Sequence, residues 1–323
     1  YPAPQGRRWP DQLTDLIGTA NSIGVEPTLK TEIYVALASH KPRMLPLVED
    51  LRLVKTDTEI RMIRRAAYYA DMAVHRLLRA SYYGASVAEG FAETRSVMAP
   101  MIRNVPYWDG LTSSVLMACW AAPYSAQPRS IPRLHDALKD GPHVALALTR
   151  CNGYAAECER TNFTAPPDAR SIVAFKAMME ARRLAFSFVK PGMSCADLDA
   201  GVSAFLFAAG YGDEEQRLHR TGHGLGLGNH EAPWIAEGSD QVLEENMVIS
   251  IEPGIYTDGL GGIRHSDSIL VTSDGYEILT ESPTDMDSMT MKGMRPVARF
   301  KGWMVRRALL IEQTRATHSA HSR

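Results

Sequence analysis

The sequence of 323 residues lacks several features, each of which would indicate a particular class of protein. No apolar run approaches the roughly 20 residues needed to cross a bilayer, which argues against a membrane-spanning protein. Acidic and basic residues nearly balance, at 37 and 35, so the charge gives no reason to expect nucleic acid or an anionic membrane as a partner.

Cysteine is also scarce. The four cysteines show neither a Cys-x-x-Cys pair nor the spacing of a zinc ribbon, which argues against a disulfide-rich scaffold. Four thiols in a chain of this length are typical of a reducing compartment. We therefore expect a cytoplasmic protein.

A capping box marks the start of a long helix. Thr56 and Glu59 have the Thr-x-x-Glu spacing of this motif, and the segment that follows has apolar residues with helical periodicity. Farther along, the patterns of "MVISIEP" and "DSILVTSDGYEILT" predict strands, the second with a hairpin turn at Asp274-Gly275. The sequence therefore predicts a domain that mixes helices and strands.

Two segments of the chain resemble each other weakly. "YYGASVAEGF" and "VKPGMSCADLDAG" each contain a Gly-x-Ser turn, at Gly84 and Gly192, followed by a helix start with acidic residues. Because such turns commonly precede helices, this observation alone leaves open whether the domain consists of two similar halves.

Glycine and histidine are concentrated in "HRTGHGLGLGNHEAPW", where His223 and His230 stand seven residues apart. Glycines let a backbone approach a ligand closely, so both imidazoles can face one cavity. Glu252 in "SIEPGIY" lies between apolar residues, which predicts an inward carboxylate that needs a partner. Glu157 and Glu159 alternate onto one strand face, and two neighbouring inward carboxylates require a cation, either a metal ion or an organic group.

Taken in order, "HGLGLGNHE", "SIEPGIY" and "GGIRHSDSILVT" resemble the motifs of the pita-bread superfamily, which includes aminopeptidase P, prolidase, methionine aminopeptidase and creatinase. The resemblance implies an α+β pita-bread fold for residues 55–290, with two pseudo-symmetric αβ halves around a curved antiparallel sheet. It also implies that residues 1–54 are the remnant of a creatinase-type N-terminal domain. Residues 291–323 are expected to form a C-terminal helix and a polar tail.

The metallopeptidases of this superfamily hold two divalent ions with two aspartates, one histidine and two glutamates. The histidine matches His223, one glutamate matches Glu252, and one aspartate falls on Glu157. The other two positions fall on Leu146 and Ser266, which carry no charge. We therefore expect no cofactor, with one divalent metal (Mn or Zn) on Glu157, His223 and Glu252 as the alternative.

Creatinase offers a second comparison, because it has the same fold and uses no metal. Its Glu-Arg-Thr motif is present here from Glu159, and its principal catalytic histidine falls near Tyr124. The resemblance implies a hydrolase that cleaves an amide or guanidine-like C–N bond of a small substrate. Catalytic roles then fall to His223, His230, Glu159 and Glu252, and substrate binding to Glu157, His265 and Tyr124.

Other functions stay open at this point. One is an Xaa-Pro metallopeptidase with a reduced metal site, acting on short peptides. Others are a non-hydrolytic enzyme that uses the same acid–base groups, and a catalytically inactive binding domain. Members of the superfamily commonly dimerise, which implies a homodimer. Six further histidines lie outside every motif and are expected at the surface: His40, His75, His135, His143, His318 and His321.

Overall fold

The structure is a computed structural model that describes residue 6 and residues 9–211 and 218–311. The chain divides into two compact units, Tyr1–Leu53 and Val54–Arg323. Among the described residues, no helix combines the length and the apolar character needed to cross a membrane.

The first unit is small and contains a parallel pair of short strands. Ile33 and Leu37 are its buried apolar residues. His40, expected at the surface, is also buried, and its Nδ1 lies 2.8 Å from the carbonyl oxygen of Ala20. The elements of this unit are α1 (Trp9–Ile17), β1 (Ile23–Val25), α2 (Thr31–Ala36), β2 (Pro42–Met44) and α3 (Leu47–Leu53).

The second unit is built on one large sheet and a separate pair of strands. The strands are β3 (Ser114–Trp120), β4 (His143–Cys151), β5 (Tyr154–Asn162), β6 (Gly222–Gly224), β7 (Glu231–Ile235), β8 (Val248–Ile251), β9 (Gly254–Thr257), β10 (Gly261–Arg264), β11 (Ser266–Val271) and β12 (Tyr276–Ile278). The large sheet has the strand order β3-β4-β5-β11-β8-β6-β7, and β12 pairs with β11. All these pairs are antiparallel, as is the separate pair of β9 and β10. The helices are α4 (Asp57–Ala80), α5 (Val87–Ala92), α6 (Thr94–Asn104), α7 (Ala169–Phe188), α8 (Cys195–Ala208), α9 (Met286–Met289) and α10 (Pro296–Ala308).

The predicted capping box starts α4. The Thr56 hydroxyl accepts a hydrogen bond from the Glu59 N–H, and the Glu59 carboxylate accepts one from the Thr56 N–H. The apolar stripe of the helix then packs on β4 and β5, where the Thr149 hydroxyl donates to the carbonyl oxygen of Ala66. The longest helix thereby supports the strand that carries Glu157 and Glu159.

The two Gly-x-Ser turns have the same local structure. Gly84 and Gly192 both have a φ of 86°, a left-handed value that favours glycine. Each donates its N–H to a leucine carbonyl on a neighbouring segment, and the serine two positions later is the N-cap of a helix. The two halves of the domain therefore repeat this element, and the α+β fold with pseudo-symmetric halves is confirmed.

Two further local predictions have clear outcomes. The hairpin is confirmed, because β11 pairs with β12 around the Asp274-Gly275 turn. His143 was wrongly expected at the surface; it is fully buried, its Nδ1 accepts from the Ala122 N–H, and burial lowers its pKa to about 4. His318, His321 and the predicted polar tail lie in 312–323, outside the described residues.

Candidate active site

One face of the large sheet carries most of the candidate site residues. Glu157 and Glu159 lie on β5, and because side chains alternate along a strand, both project from the same face. The next strands, β11 and β8, bring Ser266 and Ser250 to that face, and β6 then contributes His223. All five residues are buried.

Glu157 is the best-partnered carboxylate of the site. Its Oε1 accepts hydrogen bonds from the hydroxyls of Ser250, at 2.5 Å, and Ser266, at 2.8 Å, and lies 3.5 Å from His223 Nε2. Burial raises the pKa of Glu157, but His223 and the two hydroxyls outweigh burial and lower the pKa to about 2. Glu157 therefore carries a negative charge at neutral pH.

His223 has one ring nitrogen directed at these carboxylates. Its Nδ1 donates to the Gly224 carbonyl oxygen, at 2.9 Å, and in the neutral imidazole, the form that binds a metal, Nε2 then has the lone pair. Nε2 is buried, has no hydrogen-bond partner among the described residues, and lies 3.4 Å from Glu252 Oε1. The His230 ring centroid lies 4.2 Å from that of His223. One ligand atom from each of Glu157, His223 and His230 lies within 4.8 Å of the others, which suits a metal ion.

His223 also gives the stability of the protein a pH dependence. Burial lowers its pKa, but Glu157 and Glu252 raise it more strongly, to about 9, above the 6.5 of an ordinary histidine. A raised folded-state pKa stabilises the fold fully below pH 6.5, and this contribution is lost as the pH rises through about 9. We expect the urea midpoint of chelated protein to fall across this range, and the fall to be smaller in His223→Gln. Equal pH profiles for the two proteins would contradict this expectation.

The loop that carries His230 is held by two basic side chains. The buried Lys55 lies 3.1 Å from Glu231 Oε1, and the other oxygen of that carboxylate accepts from the Gly228 N–H at 2.7 Å. Arg150 donates to two oxygens of the same loop. His230 itself is exposed, so it stands at the open side of the cluster, where a substrate can reach it.

A second group of charges adjoins the first. The buried Arg264 forms a close ion pair with Glu159 and lies 3.9 Å from Glu252 Oε2. Its Nη1 donates to the Tyr256 hydroxyl, at 3.1 Å, and that hydroxyl contacts His219 Nε2. Burial raises the pKa of both Glu159 and Glu252, and the Arg264 guanidinium opposes that rise.

Three residues of this group were missed by the sequence analysis: His219, Tyr256 and Arg264. Each belongs to a quoted motif, and the spacing of four residues between His219 and His223 was visible. Arg264 and Ser266 also alternate with His265, so strand periodicity would have placed the arginine on the site face.

His265 and Asp267 lie on the opposite face of the sheet. His265 is fully buried, its Nδ1 accepts from the Thr161 N–H at 3.1 Å, and its Nε2 donates to the Thr284 carbonyl oxygen at 3.0 Å. Burial, aided by Arg160, lowers its pKa to about 3, so the ring is neutral. This position does not support the predicted contact of His265 with substrate.

Tyr124 begins a short 3-10 helix beside β10. Its ring lies 4.2 Å from the guanidinium carbon of Arg133, and the next residue, Ser125, accepts from the Gly262 N–H. Tyr124 is therefore attached to the strand that ends in Arg264, and its role in binding substrate stays a prediction.

Comparison with known proteins identifies the family. Residues 61–273, about two thirds of the chain, match the model of metallopeptidase family M24. The chain belongs to metallopeptidase family M24. The resemblance to the pita-bread superfamily is thereby confirmed, as is the prediction of a hydrolase that acts on C–N bonds.

Several M24 relatives are named as dipeptidases. An Xaa-Pro dipeptidase from Pyrococcus furiosus is 29% identical over 282 residues, which cover 85% of this chain and 78% of the relative. A putative dipeptidase from Bacillus subtilis is 32% identical over 240 residues, covering 74% of this chain and 63% of the relative. The solved structure of an Xaa-Pro dipeptidase from Bacillus anthracis has a TM-score of 0.74 and 30% identity, and the match covers 87% of this chain and 78% of that one.

Membership in M24 corrects the cofactor prediction. The expectation of no metal is wrong, because the family is one of metallopeptidases and the fold brings Glu157, His223 and His230 together. One carboxylate and two imidazoles form a donor set that suits manganese or zinc. Among the described residues, the buried Nε2 of His223 makes no hydrogen bond and lies beside two carboxylates, which suits a metal ligand. The exposed His230 takes the place in this set that the sequence analysis gave to Glu252.

Proposed function

We propose that the chain hydrolyses the peptide bond of short Xaa-Pro peptides, with a manganese or zinc ion held by Glu157, His223 and His230. The observation that carries this proposal is the cluster of three ligand atoms within 4.8 Å in a chain of family M24. The names of the relatives from Pyrococcus furiosus and Bacillus anthracis support the substrate class.

The ion, when bound, lowers the pKa of water and polarises the scissile carbonyl. The residues around it then handle protons and charge. Burial and the neighbouring Glu157 raise the pKa of Glu252, which makes this carboxylate a better proton acceptor than Glu157, whose pKa is lowered. Burial and His223 lower the pKa of His230, which favours the neutral imidazole, the form that can hold the ion. Arg264 provides a fixed positive charge beside Glu252.

The geometry favours a peptidase over the creatinase-like reaction. The creatinase comparison gave Glu159 a catalytic role, which requires its carboxylate to be free to act on the substrate. Glu159 is instead buried and paired with Arg264. A cationic substrate that displaced Arg264 from Glu159 would leave the buried guanidinium without its partner, and this costs free energy.

A dipeptide assay tests the proposal. We expect manganese- or zinc-loaded protein to hydrolyse Ala-Pro, and chelation to lower the rate by about 100-fold or more, with recovery on adding the metal back. Ala-Ala serves as the matched control peptide and creatine as the competing substrate. Loaded protein that leaves every Xaa-Pro dipeptide intact, or that cleaves creatine instead, would rule out this function.

We also propose a cytoplasmic homodimer that needs no nucleic-acid or membrane partner. The four cysteines are free and buried, which agrees with a reducing compartment. Light scattering of the purified protein would give the mass directly, and a monomer at micromolar concentration would contradict the dimer.

A further inference from the structure

A cavity lies beside the C-terminal end of α4, outside the candidate active site. Its volume is about 590 Å³, which is within the roughly 300–1,000 Å³ of pockets that bind small molecules. The described residues that line it lie on α4, α5, α6 and α10 and in the turns beside them, and these elements carry none of the candidate site residues. The cavity is therefore a separate place for a ligand.

The wall formed by α10 is fixed by a buried carboxylate. Glu89 is 6% exposed, and its Oε2 accepts from the Ser86 N–H and from Arg306 Nη1, both at 2.6 Å. Its Oε1 accepts from the Tyr82 hydroxyl. Gly302 of α10 packs directly on this carboxylate, because a Cβ at that position would overlap it. Glu89 thus holds the helix in place and already has its cation in Arg306.

Most of the positive charge of the cavity is unpaired. Four basic side chains line it, and Lys301 has a partner, because its Nζ lies 3.3 Å from Glu93 Oε1. Arg76, Arg79 and Arg295 have no anionic partner among the described residues. Arg76 and Arg79 are three residues apart on α4, so they share one face of the helix and repel each other. An anion in the cavity would remove this repulsion.

The wall on the side of α10 is largely apolar. Val297, Met304 and Val305 line the cavity, and Val297 and Met304 are 69% and 50% exposed. The fold therefore leaves these side chains in contact with water. An inorganic anion would not cover them, whereas a ligand that also has an apolar group would bury them favourably.

We propose that this cavity binds a small organic phosphate, with the phosphate group on Arg76, Arg79 and Arg295 and the apolar group against Val297 and Met304. A phosphate monoester carries a charge of about −1.5 to −2 at neutral pH, which suits three unpaired guanidiniums better than a single carboxylate does. Guanidiniums also donate pairs of hydrogen bonds to phosphate oxygens. This site is independent of the proposed peptidase activity, because it lies on other elements of the fold.

Calorimetric titration with 1-naphthyl phosphate tests the proposal on the metal-loaded full chain. We expect saturable binding of one equivalent at the cavity. Inorganic phosphate and 1-naphthol should each bind at least about 10-fold more weakly, because each lacks one of the two groups. 1-Naphthoate should lie between them and the phosphate ester. The absence of 1-naphthyl phosphate binding at about 1 mM, or equally tight binding of inorganic phosphate, would overturn the proposal.

A double variant locates the binding. Arg76→Gln/Arg79→Gln should weaken 1-naphthyl phosphate binding at least about 50-fold, because it removes two charge-assisted contacts. The matched control is Arg61→Gln/Arg103→Gln, which removes two exposed arginines of α4 and α6 that lie outside the cavity. It should keep the wild-type affinity. Equal affinities for the two double variants would show binding elsewhere, at the proposed ion for example, and would overturn the assignment to this cavity.

A second pair of variants tests the α10 wall. Met304→Glu places a negative charge at the cavity and should weaken 1-naphthyl phosphate binding about 10-fold or more by repulsion. Phe300→Glu adds the same charge to the same helix at a 61% exposed position outside the lining, and should bind nearly as the wild type does. Both residues are at least half exposed, so both variants should fold. Equal weakening by the two substitutions would show only a general attraction to a basic surface, against the proposal.

Discussion

His223→Ala is expected to abolish metal binding and to lower kcat/KM for Ala-Pro by at least about 1000-fold. The substitution removes the only buried nitrogen that lies within 3.5 Å of both Glu157 and Glu252 among the described residues of the site. Glu157 and His230 would remain, and two ligands hold a divalent ion poorly where three protein ligands are usual. Metal content and dipeptide kinetics on the same preparation measure the effect.

His75→Ala is the matched control, because His75 is exposed on α4 and lies outside the site. It should retain the wild-type metal content and kcat/KM. If both variants kept the ion and the activity, His223 would not be a ligand. The proposed metal centre would then be wrong.

The second large effect concerns stability. Asp267→Asn is expected to lower the free energy of unfolding by about 3–5 kcal/mol, because it leaves two guanidiniums without their anion in a buried setting. Asp267 is fully buried, with Oδ1 2.7 Å from Arg160 Nη2 and Oδ2 2.7 Å from Arg182 Nη2. Urea unfolding measures the change, and the melting temperature should fall by about 10 °C.

Asp287→Asn is the control for this substitution, because its ion pair with Lys292 is exposed. It should unfold at the wild-type midpoint, since exposed pairs contribute little. Asp267 faces away from the metal cluster, so variant protein that is still folded should bind metal normally. An unchanged urea midpoint for Asp267→Asn would show that the buried triad does not stabilise the fold.

The sequence predicted the fold and much of the site for identifiable reasons. The order of the three motifs led to the superfamily, and the positions of Glu157, His223 and Glu252 followed from matching one residue at a time. The same method gave too much weight to the uncharged residues at Leu146 and Ser266, and so led to the expectation of no metal. Ser266 in fact donates a hydrogen bond to Glu157, a contact that depends on strand pairing.

Other features depend on three-dimensional contacts that no single pattern contains. Arg264 enters the site because β10 ends there and β11 begins at Ser266, so the arginine and His265 face opposite sides. The burial of His143 likewise reflects its position at the start of β4, a strand that is paired on both sides, and not its local sequence. Matching motifs to a family therefore brought Glu157 and His223 into the candidate site, but it did not indicate which charges lie beside them.

The alternation along β5 and β11 also makes these strands intolerant of insertion. Glu159 and Arg160 are neighbours in the chain but belong to opposite faces of the sheet, as do Ser266 and Asp267. A one-residue slip in either strand would exchange the two faces. Asp267 would then move to the face of the proposed ion site, and Arg160 and Arg182 would lose their partner. These two strands therefore tolerate substitutions better than insertions or deletions. One added or deleted residue would lower the stability of the fold and disrupt the candidate active site.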